Sequence, residues 1–245
     1  MPASPPYLGT LRRLDQVIRP RTYIEVGVDR GWSLAASTAD VRVGIDPDPH
    51  PDLPTVTTDT PDIDEIIDRG PGSAWLVRRR SDDAAGALHD LLKRRRAQFA
   101  FVDGLHLADQ VIRDIAMLRT FTGRDAIFAL HDVIPIQGGM SRLPPRRRDQ
   151  AWTGDVWRVV PTLAAMGVDV VVDPVPPSGL AIFRRPDTFD RDAALRLLTI
   201  RTRVTATWSE ALDQVMSSAL MVDDHLIADF VAAKVRRTGA KSGDT

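Results

Sequence analysis

The chain has no cysteine among its 245 residues. Disulfides, thiolate metal sites and a cysteine nucleophile are therefore excluded. An excess of one charge is also missing. Against 33 acidic residues stand 32 basic ones, for a formal net charge of -1, which argues against a chain built to coat nucleic acid or a membrane surface. Lysine is nearly absent, 3 residues against 29 arginines, a bias that fits GC-rich coding and is not read as function. No apolar run reaches membrane-spanning length. The opening Met-Pro-Ala-Ser-Pro-Pro lacks the basic and apolar regions of a signal peptide, so the expected location is cytoplasmic.

What is present is ordinary globular material. Hydrophobic residues make up 43%, and the length suits one substantial α/β domain with a helical tail. Strand-length apolar runs fall at about 22–28, 41–46, 73–78, 99–103, 125–131, 168–173 and 179–184. Helical patterns lie between them, near 7–18, 32–39, 61–69, 83–96, 107–121 and 153–166. Continuous apolar strands predict a sheet buried on both faces, mostly parallel and flanked by helices. Only Pro174-Val-Pro-Pro-Ser178 separates the last two strands, too short for a crossover helix, so these two should pair antiparallel. Residues 190–237 read as wholly helical. The expected division is a main domain over 1–187 and a helical C-terminal extension over 188–245.

The first strand ends in Glu25-Val-Gly27-Val-Asp-Arg-Gly31, with a helix behind it. Glycines at such a turn let the backbone approach a ligand without a side chain in the way. In open α/β sheets ligands sit outside the carboxyl ends of the strands. The second strand ends in Asp46, 19 residues after Gly27, where a carboxylate can accept hydrogen bonds from both ribose hydroxyls. A nicotinamide fingerprint would place glycine, not Glu25, at the first position, and a carboxylate beside a pyrophosphate is unfavourable. Beside a cofactor that carries an ammonium and a sulfonium and no phosphate, it is acceptable. Ser33, at the start of the helix, suits the cofactor's carboxylate or is a plain helix-start serine. Trp32 is placed to touch the cofactor.

This Glu-x-Gly-x-x-x-Gly pattern, with an acid closing the second strand and an antiparallel final strand, resembles the class I S-adenosylmethionine-dependent methyltransferases. The resemblance implies a Rossmann-like seven-stranded sheet and S-adenosylmethionine as cofactor, with Glu25, Gly27, Gly31, Ser33 and Asp46 around it. It also implies that the segment after the third strand, Ser81-Asp82, holds the adenine edge, although both residues also read as an N-cap for the 83–96 helix.

The fourth strand closes in Asp103-Gly-Leu-His106 and the fifth in His131-Asp132. Adjacent parallel strands bring Asp103 and Asp132 together, and two close carboxylates either share a proton or hold a cation. Magnesium prefers such an oxygen-rich setting. Asp-Gly-x-His followed by His-Asp resembles the metal-assisted small-molecule O-methyltransferases, of the catechol type and of the branch that methylates macrolide sugars and includes cephalosporin-hydroxylase-like members. Thr153-Gly-Asp-Val-Trp157 resembles a segment of that branch. The resemblance covers roughly residues 20–185. It implies Asp103 and Asp132 as ligands of Mg2+, with His131 beside them, and His106 as the base in the catechol type's lysine position. The catechol enzymes carry Asp then Asn after the fifth strand, so the third ligand and the register of the pair stay open.

Other readings stay open as well. Asp103 suits the cofactor's amino group with no metal present, His106 suits a helix cap, and His131 suits a core histidine. A metal-independent N- or O-methyltransferase with His106 as base, a nicotinamide-dependent oxidoreductase and a cofactor-binding protein without activity are the alternatives. The expected partner is a small-molecule acceptor, a glycoside or secondary metabolite. Nucleic acid is not expected, because no basic, aromatic-rich module and no Asn/Asp-Pro-Pro-Tyr/Phe motif for a flipped base occurs. Residues 134–150 form a Pro/Gly/Arg-rich loop, a candidate lid with Gly138-Gly139 as hinge and Arg146 to Arg148 as an anion contact or a solvated run. Apolar spacing at Leu212, Val215, Met216 and Leu220, then Leu226, Phe230 and Val231, suits packing on the flanking helices or on a second copy of the chain.

Overall fold

A computed structural model describes residues 5–67, 70–135, 141, 152–201, 207–222, 227 and 229–233. The expected strands are all present. In chain order the strands are β1 (Thr22–Val26), β2 (Val41–Ile45), β3 (Thr55–Thr57), β4 (Ile63–Ile66), β5 (Ser73–Val77), β6 (Ala97–Val102), β7 (Thr122–His131), β8 (Val170–Asp173), β9 (Leu180–Arg184) and β10 (Leu220–Met221). They form a single ten-stranded sheet in the order β10-β8-β9-β7-β6-β1-β2-β5-β4-β3. β1 pairs in parallel with β2 and β6, and β6 with β7. β9 runs antiparallel between β7 and β8, as the short 174–178 connection requires.

The helices are α1 (Tyr7–Ile18), α2 (Trp32–Ala36), α3 (Ala85–Leu92), α4 (Ala108–Phe121), α5 (Val159–Ala165), α6 (Arg191–Arg201) and α7 (Trp208–Ser218). Every residue of β1 is buried, and its neighbours alternate between two apolar layers. Ile24, Ala100, Val102, Phe128 and Leu130 face the layer that holds Leu88, Ile112, Ile115 and Leu163 of α3, α4 and α5. Tyr23, Phe99, Phe101, Ile127 and Ala129 face the layer under Leu8, Leu11 and Leu14 of α1. This is the two-sided burial that a parallel sheet with crossover helices produces. Ala194, Leu198, Ala211 and Val215 of α6 and α7 lie in the first layer, so the C-terminal helices pack on the same core.

Three extra short strands distinguish the sheet from the expected seven. Of the expected 61–69 helix, the described residues 61–67 form none: Ile63 to Ile66 is a strand paired antiparallel with β5 and with β3. The spacing of Ile63, Ile66 and Ile67 fits a helix on paper, but β-branched residues beside an open sheet edge gain ladder hydrogen bonds instead. The C-terminal region is not wholly helical either. Ala219 turns extended after α7, and Leu220-Met221 joins β8 as an edge strand. The 83–96 helix is shorter than expected and opens with a 3-10 turn over Ser81–Asp83. The 153–166 helix likewise opens with a 3-10 turn, over Val156–Arg158. Most of the candidate lid, including Gly138, Gly139 and Arg146 to Arg148, lies outside the described residues, as do Leu226 and the 234–245 end.

Candidate active site

The carboxyl ends of β1, β2, β5 and β6 surround a cavity of about 380 Å³. Gly27, at the end of β1, has φ +87°, and a Cβ there would lie 2.0 Å from the Asp103 carbonyl oxygen. Only glycine lets the β1 turn and the end of β6 meet backbone to backbone. The contact is fixed from both sides, since Gly27 N–H donates to Ile45 O at 2.9 Å and Asp103 N–H to Val26 O at 2.8 Å. Gly31 also has a positive φ, 72°, and begins α2. Asp46 Oδ2 accepts the Val28 and Asp29 N–H groups at 2.9 and 3.1 Å, and Oδ1 accepts Asp48 N–H at 2.9 Å. The acid closing β2 therefore shapes the glycine turn as well as lining the cavity.

Gly27, Ser33, Asp46, Ser81 and Asp103 all line this cavity, as does Trp32. Glu25 does not. It is fully buried below the turn, where Tyr23 Oη donates to its Oε2 at 2.7 Å. Burial pushes the Glu25 carboxyl up to about 8, against the Tyr23 and Ser33 hydroxyls, which favour the charged form. Gly31 and Asp82 also stand outside the lining. Asp82 accepts a hydrogen bond from Gln110 Nε2 at 3.2 Å.

The chemical end lies where β6 and β7 finish side by side. Asp103, His131 and Asp132 each offer a donor atom, all within 4.8 Å of one another. His131 Nδ1 is 3.2 Å from Asp103 Oδ1 and 3.2 Å from Asp132 Oδ1. His106 Nε2 lies 3.1 Å from Asp132 Oδ2 and 3.7 Å from Asp103 Oδ1. Asp132 has φ 63°, an unfavourable value for a residue with a side chain, and Ser178 donates a hydrogen bond to it. The left-handed turn aims its carboxylate at the histidines.

The electrostatics follow from packing two acids and two imidazoles together. Burial would raise Asp103, but His131 and His106 outweigh it and hold that carboxyl well below the usual range. Burial raises Asp132, with the Asp103 charge adding to it against both histidines. Burial would lower His106, but Asp103 and Asp132 reverse this and carry it up to about 9. Burial would lower His131 too, but Asp103, and after it Asp132, outweigh this and raise it. The cluster thus favours positive charge between its two carboxylates.

His106 is fixed from behind. Its Nδ1 pairs with Trp152 O at 2.7 Å, and the two rings lie 5.5 Å apart. Sequence reasoning missed three residues of the site. Tyr7 lines the cavity and packs its ring 4.2 Å from His131. Gln110, also in the lining, and Asp114 both bond the Ser81 hydroxyl, Gln110 Nε2 donating at 3.2 Å and Asp114 Oδ1 accepting at 2.6 Å. A polar i, i+4 pair buried on the otherwise apolar face of α4 is the signal that marks Gln110 and Asp114. Tyr7 has no local signal, because its place follows from how α1 docks. There, Asp15 accepts hydrogen bonds from Ser37 Oγ and Thr38 N at 2.6 and 2.9 Å.

Residues 24–133 match a family described as a methyltransferase domain. Among solved structures, the chain is similar to cofactor-bound Rv0187 from MTB, with 16% identity over 76% of this chain and 83% of that one and a TM-score of 0.51. It is similar to the O-methyltransferase from Bacillus cereus in complex with SAH at 12% identity, over 74% of this chain and 81% of the other, with a TM-score of 0.48. The O-methyltransferase TomG from Streptomyces achromogenes, involved in tomaymycin synthesis and solved with SAM, shows 15% identity over 74% and 80% and a TM-score of 0.48. No curated protein matches the chain. The likeness to Rv0187 bears on the fold. No described helix is long and apolar enough to cross a membrane.

Proposed function

We propose that this chain, residues 24–133 of which match a methyltransferase domain, is a class I S-adenosylmethionine-dependent enzyme that methylates a hydroxyl of a small molecule with the help of a divalent cation. The observation that carries this reading is the convergence of Asp103, His131 and Asp132 within 4.8 Å, with Asp103 also in the wall of the cofactor cavity. One residue then serves both halves of the site. The cavity volume, about 380 Å³, is in the range of small-ligand pockets.

The donor set fits the group. Two carboxylates and one imidazole, buried or half-buried, match a hard divalent ion that keeps some water. Asp103, Asp132 and His131 would hold it. A cation bound there supplies Lewis acidity, which lowers the pKa of an acceptor hydroxyl. The chain's own residues do the rest. Gly27 and Asp46 hold the cofactor turn in shape. His106 presents Nε2 to the acceptor side and, once the charge of Asp132 is balanced, returns toward its ordinary range and takes the acceptor proton. Holding acceptor oxygen, methyl carbon and sulfur in line provides much of the rate. A glycoside or a secondary metabolite is the acceptor class in this reading.

One observation favours a second reading, a metal-independent N- or O-methyltransferase. His131 and His106 already supply protonated partners to both carboxylates, so the cluster is charge-balanced without an ion. A single set of measurements separates the two. Calorimetric titration with S-adenosylhomocysteine should show one site. Titration with Mn2+ should show one site that disappears in Asp132→Asn. Methyl transfer from labelled S-adenosylmethionine to a panel of catechols, phenols and glycosides should stop in chelator and return with Mg2+. Transfer that persists in chelator establishes the second reading. S-adenosylhomocysteine binding with no transfer to any panel member counts against the hydroxyl acceptor.

A further inference from the structure

The segment Trp152 to Arg158 is not part of the cofactor cavity, yet four of its groups converge on the loop that carries His106. Trp152 O faces His106 Nδ1 at 2.7 Å. Gly154 has φ +56°, and a Cβ on it would lie 1.7 Å from His106 O. Asp155 N–H donates to the same carbonyl at 3.3 Å. Asp155 Oδ1 accepts Ala108 N–H at 2.7 Å, which satisfies the first turn of α4 from 47 residues away. Leu107, at the N-cap position of that helix, offers no side-chain cap.

This strap is itself braced. Asp155 and Arg158 are both buried, and Arg158 Nη1 donates to Asp155 Oδ2 at 2.6 Å. Arg158 Nη2 donates to Leu198 O of α6 at 2.9 Å. A continuous set of hydrogen bonds therefore runs from α6, through Arg158 and Asp155, to the amino end of α4 and the histidine two residues before it. A buried ion pair is costly to assemble and is weak evidence for stability alone, so its placement against the main chain of the loop that carries His106 points to a use.

We infer that Gly154 and Asp155 are positioning residues for His106, fixing its ring so that Nδ1 is committed to Trp152 O and Nε2 faces Asp132 and the acceptor side. The inference rests on the proposed role of His106, but the geometry it claims exists whether or not an acceptor is known. An unheld histidine on a surface loop samples several rotamers. Here one nitrogen is tied to backbone and the other is presented, which orients the ring as a second hydrogen bond does for a catalytic or metal-bound imidazole.

The test reads the histidine directly. In long-range 1H–15N spectra of the full chain saturated with S-adenosylhomocysteine, His106 should show a single, hydrogen-bonded Nδ1–H state. Gly154→Ala, which keeps the Asp155–Arg158 pair, and Asp155→Ala should each replace this with averaged or broadened imidazole signals. S-adenosylhomocysteine affinity should stay within about threefold in both, because neither residue lines the cavity. Asp155→Asn, which keeps an acceptor for Ala108 N–H, should restore the His106 spectrum at least in part and guards against a simple folding defect in Asp155→Ala. Unchanged His106 signals in both Gly154→Ala and Asp155→Ala overturn the inference. With any acceptor that the wild-type protein methylates, each substitution should lower kcat at least tenfold with KM for the cofactor held, and should add nothing in a His106→Ala background. If His106→Ala itself leaves kcat unchanged while the spectra behave as stated, the proposed base role fails and the positioning stands.

Discussion

The two halves of the site are built by different means. The side proposed for the cofactor, at β1 and β2, is held by backbone: a glycine turn pressed on Asp103 O, and Asp46 accepting three main-chain N–H groups. The chemical side, at β6 and β7, is held by charge: two carboxylates and two imidazoles within hydrogen-bonding or near hydrogen-bonding distance. A site fixed by sterics answers first to shape. A site fixed by charge answers to protons and cations. On the proposed reading, a sterically fixed seat for the cofactor therefore sits beside a charge-fixed centre for the reaction.

The largest effect should come from breaking the steric half. Gly27→Ala places a methyl group 2.0 Å from the Asp103 carbonyl oxygen at a φ of +87°. Strain and overpacking add, and the variant should lose roughly 3 kcal/mol of stability together with measurable S-adenosylhomocysteine binding. Denaturant unfolding and calorimetry check both. A Gly27→Ala protein that binds the cofactor product normally would show that the turn is not the seat.

Next in size is the charge half. Asp132→Asn removes one carboxylate from the donor set, and Mn2+ affinity should fall by about 100-fold or more, at or beyond the upper end of what losing a mere outer partner of a ligand costs. Because Asp132 helps raise His106, the same change should bring the His106 pKa down from about 9 toward the usual imidazole range, read by NMR titration. S-adenosylhomocysteine affinity should barely move. If it falls as far as the metal affinity, the two halves are one unit and the contrast drawn above is wrong.

How much of this contrast was legible in the sequence follows the same division. Gly27, Asp46, Asp103, His106, His131 and Asp132 sit at strand ends, and strand ends are where local pattern and function coincide. Glu25 was legible as an unusual acid but not as a supporting one, because the sequence does not reveal that Tyr23, two positions earlier on the same face, takes its Oε2 below the turn. Ser81 and Asp82 could not be ranked from pattern. Gln110 and Asp114, from the next helix, draw Ser81 into a network and leave Asp82 at its rim. β4 was misread as helix, since edge pairing runs through main-chain groups and leaves no trace in residue spacing. Tyr7 and the Asp155 brace depend on docking across the molecule, which no local period encodes.

Glu25 sharpens the comparison through pH. Its folded-state pKa, about 8, lies above the ordinary 4.5, so its contribution to stability is fully present below about 4.5 and is lost as pH rises through about 8. In that window one buried carboxyl costs the fold about 1.4 kcal/mol per pH unit. Glu25→Gln keeps the shape and removes the ionisation, so unfolding free energy should become flatter between pH 5 and pH 8 by about that slope. His106 has the same sign in a later window, with stability lost as pH rises through about 9. Its part should shrink when Mg2+ is added. The Glu25 part should persist, because that carboxyl lies outside the metal cluster.

The smallest effect should come from the network behind Ser81. Ser81 Oγ donates to Asp114 Oδ1 at 2.6 Å, and burial already pushes the Asp114 carboxyl up to about 6. Ser81→Ala removes one donor from a buried acid that keeps Gln110 Nε2 at 3.0 Å. The carboxyl should then rise further and carry a proton at neutral pH, which limits the loss to about 1 kcal/mol of stability. S-adenosylhomocysteine affinity should fall only a few-fold, since Gln110 and Arg80 still line that wall. The effect should also fade below pH 6, where Asp114 is protonated in both proteins. A loss of equal size at pH 5 and pH 8 would assign Ser81 to the ligand directly, and the cofactor seat would then rest on side chains as well as on backbone.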